Sequence, residues 1–228
     1  MYLVSPHVIS TVGRLPFGKV IAMDKIPLEI YVELMTTIRH RLDVIETIRQ
    51  SQIDDFSRAE TAAFHGRKVI EGISFACLVA IENGIKHVPR DAKGKWNAED
   101  ILKSLKSKKI STLPSPSIIR NATAIERESD NVNVVIEGVP ENRISHDDLI
   151  SMYQGLHRWL HEINPYVETD HESFYTNHGQ KLWDDLARIN QFIEKHFISI
   201  SGEGFFCVLR DNVDGTTKVS SLSRPKPA

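Results

Sequence analysis

Apolar positions recur at three- and four-residue intervals through most of the chain and change to alternation only near its end. Over residues 27–50, Ile30, Leu34, Ile38, Leu42, Ile45 and Ile48 form one stripe, the spacing of a helix with one face on a core. Pro27 suits the first turn, where a missing N–H costs nothing. Arg39, Arg41, Asp43, Glu46 and Arg49 fall mainly on the other side, so this reads as an exposed amphipathic helix.

A second helix is expected from about Ser57 to Asn83, with Asn83-Gly84 as its stop signal. From Val69 to Ile81 it is apolar nearly all round, apart from Glu71, Gly72 and Ser74. That pattern marks a central helix enclosed by other elements. Its first half, RAETAAFHGRK, is polar and rich in small residues.

A basic loop covers 86–96. Asn97 then caps a short helix, NAEDILKSLKSKK, with Asp100 in its first turn. TLPSPS is expected to be an extended turn, because both prolines exclude helix. NVNVVI, residues 131–136, reads as a strand that leaves by Gly138 and Pro140. Ser145, with Asp148 three residues on, opens a capped helix, SHDDLISMYQGLHRWLHEINPY, stopped by Asn164-Pro165. An irregular stretch holding His171 and His178 follows. The next helix runs from about Gly179 to His196, with Leu182, Leu186, Ile189 and Ile193 on its apolar face and Trp183 beside it. FISIS alternates, FFCVL follows, and Asp214-Gly215 signals a tight turn before KVSSL, giving a strand and hairpin.

The expected fold is α+β: a mainly helical core of about five helices around residues 57–83, with a small antiparallel sheet built from the C-terminal hairpin and residues 131–136. The organisation is an N-terminal segment, 1–26; a helical domain, 27–196; a β-hairpin packed on it, 197–222; and a loose tail, 223–228.

Composition narrows the classes without choosing among them. The chain has 228 residues, 41% apolar and 25% charged, which is ordinary globular usage. A net charge of −2 excludes a globally basic nucleic-acid binder but hides an asymmetry. Residues 86–109 carry eight Lys or Arg against Asp91, Glu99 and Asp100, a segment able to attract RNA phosphate. Residues 126–148 carry seven Asp or Glu against Arg127 and Arg143. Cys77 and Cys207 sit in apolar runs, FACLVAI and FFCVL, and read as packing groups in a reducing cytosol. The start, MYLVSPHVIS, lacks the pattern of a signal peptide, and no run of 18 apolar residues exists to span a membrane. A cytoplasmic chain is expected.

Chemistry concentrates in three places. His157 and His161 share a helix face, so both imidazoles can reach one metal. The further ligands such a site needs would come from His171, His178 or Glu162, and HExxH has no counterpart because Arg158 and Trp159 follow His157. Arg67 and Glu71 stand one turn apart among Val69, Ile70 and Ile73, where an ion pair is costly unless it is well matched or used. Arg58 and His65 match Arg-x6-His, the outer limit of the Arg-x4–6-His motif of HEPN-type ribonucleases, about 10 Å apart along the helix axis. There is no GxGxxG, P-loop or GxSxG, and no cofactor motif.

AFHGRKVIEGISFACLVA, KWNAEDILKSL, LPSPS, ISHDDLISMYQGLHRWLHEINPY and the HFISIS…FFCVLRD hairpin together resemble a group of uncharacterised bacterial cytosolic proteins, over about residues 55–222. The anchors are Arg67, Glu71, Trp96, Tyr153, Leu160, His161, Asn164 and Pro165. The resemblance implies a HEPN-like helical layout and carries no activity with it. On the late helix, where HEPN ribonucleases place their motif, this chain has only Arg158-x2-His161, which is too short.

Two functions are therefore expected to compete. One is a non-catalytic interaction or regulatory module of a bacterial defence or stress system, acting as a homodimer or with a protein partner. The other is a metal-independent HEPN-type endoribonuclease, with an arginine steadying phosphate charge and a histidine moving the 2′-hydroxyl proton. In either case the site expected is Arg67, Glu71 and His161 as one polar cluster between the central helix and the helix at 145–162. His161 is placed against Glu71, whose charge raises its pKa, and Arg67 keeps the carboxylate ionised.

Overall fold

A computed structural model of the chain describes residues 3–4, 27–82, 95, 97–109, 113–130, 132–162, 164, 166, 170–200 and 203–223. Among them are six α-helices: α1 (Pro27–Arg49), α2 (Asp55–Glu82), α3 (Ala98–Ser107), α4 (Ala124–Asp130), α5 (His146–His157) and α6 (His171–Glu194). Six strands accompany them: β1 (Leu3–Val4), β2 (Ser115–Asn121), β3 (Val134–Gly138), β4 (Lys195–Ile200), β5 (Glu203–Val208) and β6 (Lys218–Ser223). They form an antiparallel sheet of order β1-β6-β5-β4-β2-β3. The fold is α+β with a helical core, as the periodicity predicts.

The central helix is α2. Val69, Ile70, Ile73, Ala76, Cys77, Ala80 and Ile81 are buried, and α1, α5 and α6 lie around it. The small residues of its first half have a packing role that the pattern did not disclose. Ala59, Ala62 and Ala63 are fully buried, and a Cβ at Gly66 would stand 2.3 Å from Leu186 Cδ2 and 3.2 Å from Leu156 Cδ1. A bare position there lets α5 and α6 approach α2 closely.

The inner face of α1 is Tyr31, Met35, Ile38, Leu42 and Ile45, while Ile30, Leu34 and Ile48 are half-buried. The expected stripe is thus rotated in its first turns. Tyr31 can take the inner place because its hydroxyl meets His196 Nε2 at 2.5 Å inside the core.

Three other expectations change. His171 and His178 lie on α6, not in an irregular stretch. Asp170 caps that helix by accepting from the Ser173 backbone N–H at 2.7 Å, and Gly179, read as a start, is an interior residue covered by Tyr175. LPSPS does not end as a turn: β2 begins at Ser115, with Pro116 at the point where β2 meets β4. A strand tolerates proline where little of its ladder is used, and β2 pairs β4 only at Ser115 and Pro116. Consequently β3 does not adjoin the C-terminal hairpin, because β2 lies between them. Third, α6 ends at Glu194, so His196 belongs to β4.

Asn97 and the Ser145/Asp148 box cap α3 and α5 as their sequences predict. Cys77 and Cys207 are both buried. Ile198, Ile200, Phe205, Cys207 and Leu209 of the β4–β5 region share one apolar cluster with α1, α2 and α6. No helix among the described residues is long and apolar enough to cross a membrane. Most of 1–26, all of 83–94 with Trp96, Asn131, Pro165, and the tail from 224 lie outside the described residues.

Candidate functional site

The helices α2 and α5 run antiparallel, and each carries polar residues one turn apart on the facing side. Tyr153 therefore meets Glu71, and His157 meets Arg67. The Tyr153 hydroxyl donates to Glu71 Oε1 at 3.2 Å, and the Arg67 guanidinium lies 4.7 Å above the Tyr153 ring. Arg67 Nε is 3.4 Å from the same carboxylate oxygen, and Lys68 Nζ donates to Glu71 Oε2 at 2.7 Å. Only 12% of the Glu71 side chain is exposed, so three donors around it answer the burial of its charge.

Arg67 Nη1 approaches His157 Nδ1 at 2.5 Å, and His157 Nε2 stands 2.9 Å from His161 Nε2. Arginine can only donate, so His157 accepts at Nδ1 and carries its proton on Nε2. That proton is shared with His161 Nε2, which accepts and keeps its own proton on Nδ1. The result is a directed row, Glu71–Arg67–His157–His161, running from a nearly buried carboxylate to an exposed imidazole.

The structure brings the expected residues into one cluster but not in the expected contacts. His161 reaches Arg67 through His157 and is not bonded to Glu71, whose oxygens are taken by Tyr153, Lys68 and Arg67. His157 is the residue the site reading missed, and Tyr153 and Lys68 are its supports. The matched one-turn spacings, 67 to 71 and 153 to 157, are the sequence signal that pointed to them.

Electrostatics follow from these contacts. His157 is held below the ordinary histidine value, first by desolvation, then by the Arg67 charge and then by His161, against an upward pull from Glu99. Tyr153 is raised, chiefly by burial. Glu99 is held low by Lys103 and Gln154, which donate to its Oε1 at 2.5 and 2.9 Å. It is therefore already engaged beside the histidine pair.

The remaining candidates are dispersed. Arg58 donates to the Arg49 and Ser51 carbonyls at the end of α1 and pairs with Asp55. His65 faces Arg41 Nη1 at 3.4 Å and is lowered by burial and by that charge. Arg58 and His65 thus serve different partners. His171 stacks on Phe56, and His178 packs edgewise on Phe174. Among the described residues no three His, Cys, Asp or Glu gather as a metal site. Arg67 also opposes metal at the histidine pair, because it occupies the nitrogen where a ligating imidazole would donate to a carboxylate or carbonyl.

Among the described residues the basic segment meets the acidic one at Lys106, and residues 86–94 of the basic segment lie outside the described residues. Lys106 pairs with Asp147 at 2.6 Å, Lys103 pairs with Glu99, and Arg120 bridges Glu126 and Glu137. No family model matches the chain, and neither curated proteins nor solved structures provide a match.

Proposed function

We propose that this chain is a non-catalytic interaction module that binds a protein partner, a second copy of itself included, through the exposed side of α2 beside the end of α5. The observation that carries the reading is the exposed Phe64, at 44% relative exposure, one turn before Lys68 and on the same side of α2 as Arg67. Aromatic residues and arginine are the side chains enriched among binding anchors. His157 and His161 border the same region.

The cluster beneath this face supports binding over catalysis. Arg67 is shared among Glu71, Tyr153 and His157, so its fork is not free to receive a phosphate. A ribonuclease of the HEPN type needs an arginine and a histidine converging on one phosphate. Of the pair that matches its spacing, Arg58 is engaged by the Ser51 carbonyl and His65 by Arg41. The setting proposed for this module is a bacterial defence or stress assembly.

The test combines purification from the native host with an RNA assay. Wild-type chain should retain a protein partner, or self-associate in sedimentation, and Phe64→Asp should abolish this with an unchanged melting temperature. RNA incubated with purified wild-type chain should stay intact. Cleavage that disappears in His161→Ala or His65→Ala would overturn the reading in favour of a nuclease.

A further inference from the structure

A second polar site lies where β2 leaves β4. β2 pairs β4 only through Ser115↔Phe197 and Pro116↔His196, and from Ser117 onward it pairs only β3. The divergence opens a cavity of about 410 Å³ whose lining includes Ser115, Ser117, Ile136, Gly138, Arg143 and Phe197. That is the size range of small-ligand pockets.

Strand register explains the lining. Side chains two apart share a face. Ser115 lies opposite Phe197, Ser117 opposite Gly138, and Ile136 stands two residues before Gly138. One face therefore presents an aromatic ring and an isoleucine as walls, with two hydroxyls between them. Gly138 does not have the positive φ that would demand glycine; among the described residues only Gly215 does among glycines. What Gly138 supplies is space. A Cβ there would stand 3.3 Å from Arg143 Nη2, so the guanidinium lies against the bare position.

The polar groups are available. Arg143 makes no side-chain hydrogen bond or ion pair among the described residues, unlike Arg120 on the other side of the ribbon, which serves two carboxylates. Ser117 is buried and gives its proton to the Ser115 carbonyl at 2.8 Å, and among the described residues the Ser115 hydroxyl makes no hydrogen bond.

We infer that this cavity binds a small carboxylate with an apolar body. The carboxylate takes the Arg143 fork and the Ser115 hydroxyl, and the apolar part lies on Phe197 and Ile136. An arginine fork matches a carboxylate in two parallel bonds, and the apolar walls favour a hydrocarbon body over a bare anion.

Calorimetric titration of the full chain with phenylacetate, phenylacetamide and inorganic phosphate tests this. Phenylacetate should bind, and the uncharged amide should bind about tenfold more weakly, the loss expected for one charge-assisted contact. Arg143→Gln should weaken phenylacetate by about tenfold while leaving the amide unchanged. Gly138→Val should abolish binding by filling the space. Should Gly138→Val fail to fold, Arg143→Gln, which alters an exposed side chain, still decides. Absence of phenylacetate binding, equal binding by Arg143→Gln, or phosphate binding as tightly as phenylacetate would each overturn the assignment.

Discussion

Arg67 on α2 donates to Nδ1 of His157 on α5, and this one contact sets the protonation pattern of two imidazoles. His157 must hold its proton on Nε2, and His161 must hold its own on Nδ1. Nitrogen-detected NMR at neutral pH should show these two tautomers. In Arg67→Met the tautomers should mix, and the His157 titration should move up towards the ordinary histidine range, because one of the charges lowering it is gone. An unchanged His157 titration would mean that the guanidinium is not its neighbour in solution.

The same contact bears on metal. Two imidazole Nε2 atoms 2.9 Å apart on successive turns are close enough to share one cation. Arg67 prevents it by keeping a proton on His157 Nε2. Arg67→Gln replaces the donor with an amide whose oxygen can accept from Nδ1–H, freeing Nε2. This variant should gain nickel affinity by about tenfold or more over wild type, the scale on which outer partners tune metal ligands. Equal nickel binding by the two proteins would refute the tautomer argument.

What the sequence disclosed and what it withheld divide along physical lines. Long helices with apolar faces, such as α1 and α6, and caps such as Asn97 and Ser145 declare themselves locally, because spacing and side-chain chemistry lie within one turn. β2 is hidden because Pro114 and Pro116 argue against regular structure, and what overrides them is pairing with β3, a partner beyond the reach of local sequence pattern. The site was half legible. The sequence places Arg67, Glu71 and His161 in one cluster and pairs His157 with His161, but the contacts of His157 with Arg67 and of Tyr153 with Glu71 follow only once α2 and α5 are known to be antiparallel and in register. The buried pair Tyr31 and His196, 165 residues apart, had no local signature.

Gly66 and Gly72 separate backbone preference from packing. Replacing a helix-interior glycine by alanine gains roughly 1 kcal/mol in propensity. At Gly72 the new Cβ would meet Ile38 Cγ1 at 3.0 Å, so Gly72→Ala should be nearly neutral. At Gly66 it would fall 2.3 Å from Leu186 Cδ2, with Leu156 at 3.2 Å and both leucines buried. Repacking two core leucines should outweigh the propensity gain, leaving Gly66→Ala destabilised by about 1–2 kcal/mol. Urea denaturation of both variants checks the order, and a Gly66→Ala more stable than wild type contradicts the close-packed contact.

His196 makes stability depend on pH. It is fully buried; its Nδ1 donates to the Ile193 carbonyl at 2.9 Å and its Nε2 accepts from the Tyr31 hydroxyl, so the neutral ring is satisfied at both nitrogens. Burial lowers its pKa from 6.5 to about 4. The unfolded chain therefore binds the proton first as pH falls. The contribution is whole above the unfolded value of 6.5 and is lost as pH drops from there to about 4, a total of roughly 3 kcal/mol. Its neighbours Tyr31 and Cys207 are raised by burial and stay neutral across this window. Carboxylates elsewhere also titrate there, so the measurement is a difference. In His196→Gln, whose amide can still meet Tyr31, the loss of stability between pH 7 and pH 4 should be smaller by about that amount. Tyr31→Phe, which strands the ring nitrogen, should be less stable than wild type at pH 7 by about 1–3 kcal/mol. Parallel pH profiles for wild type and His196→Gln would show that the imidazole is not the group whose burial opposes acid.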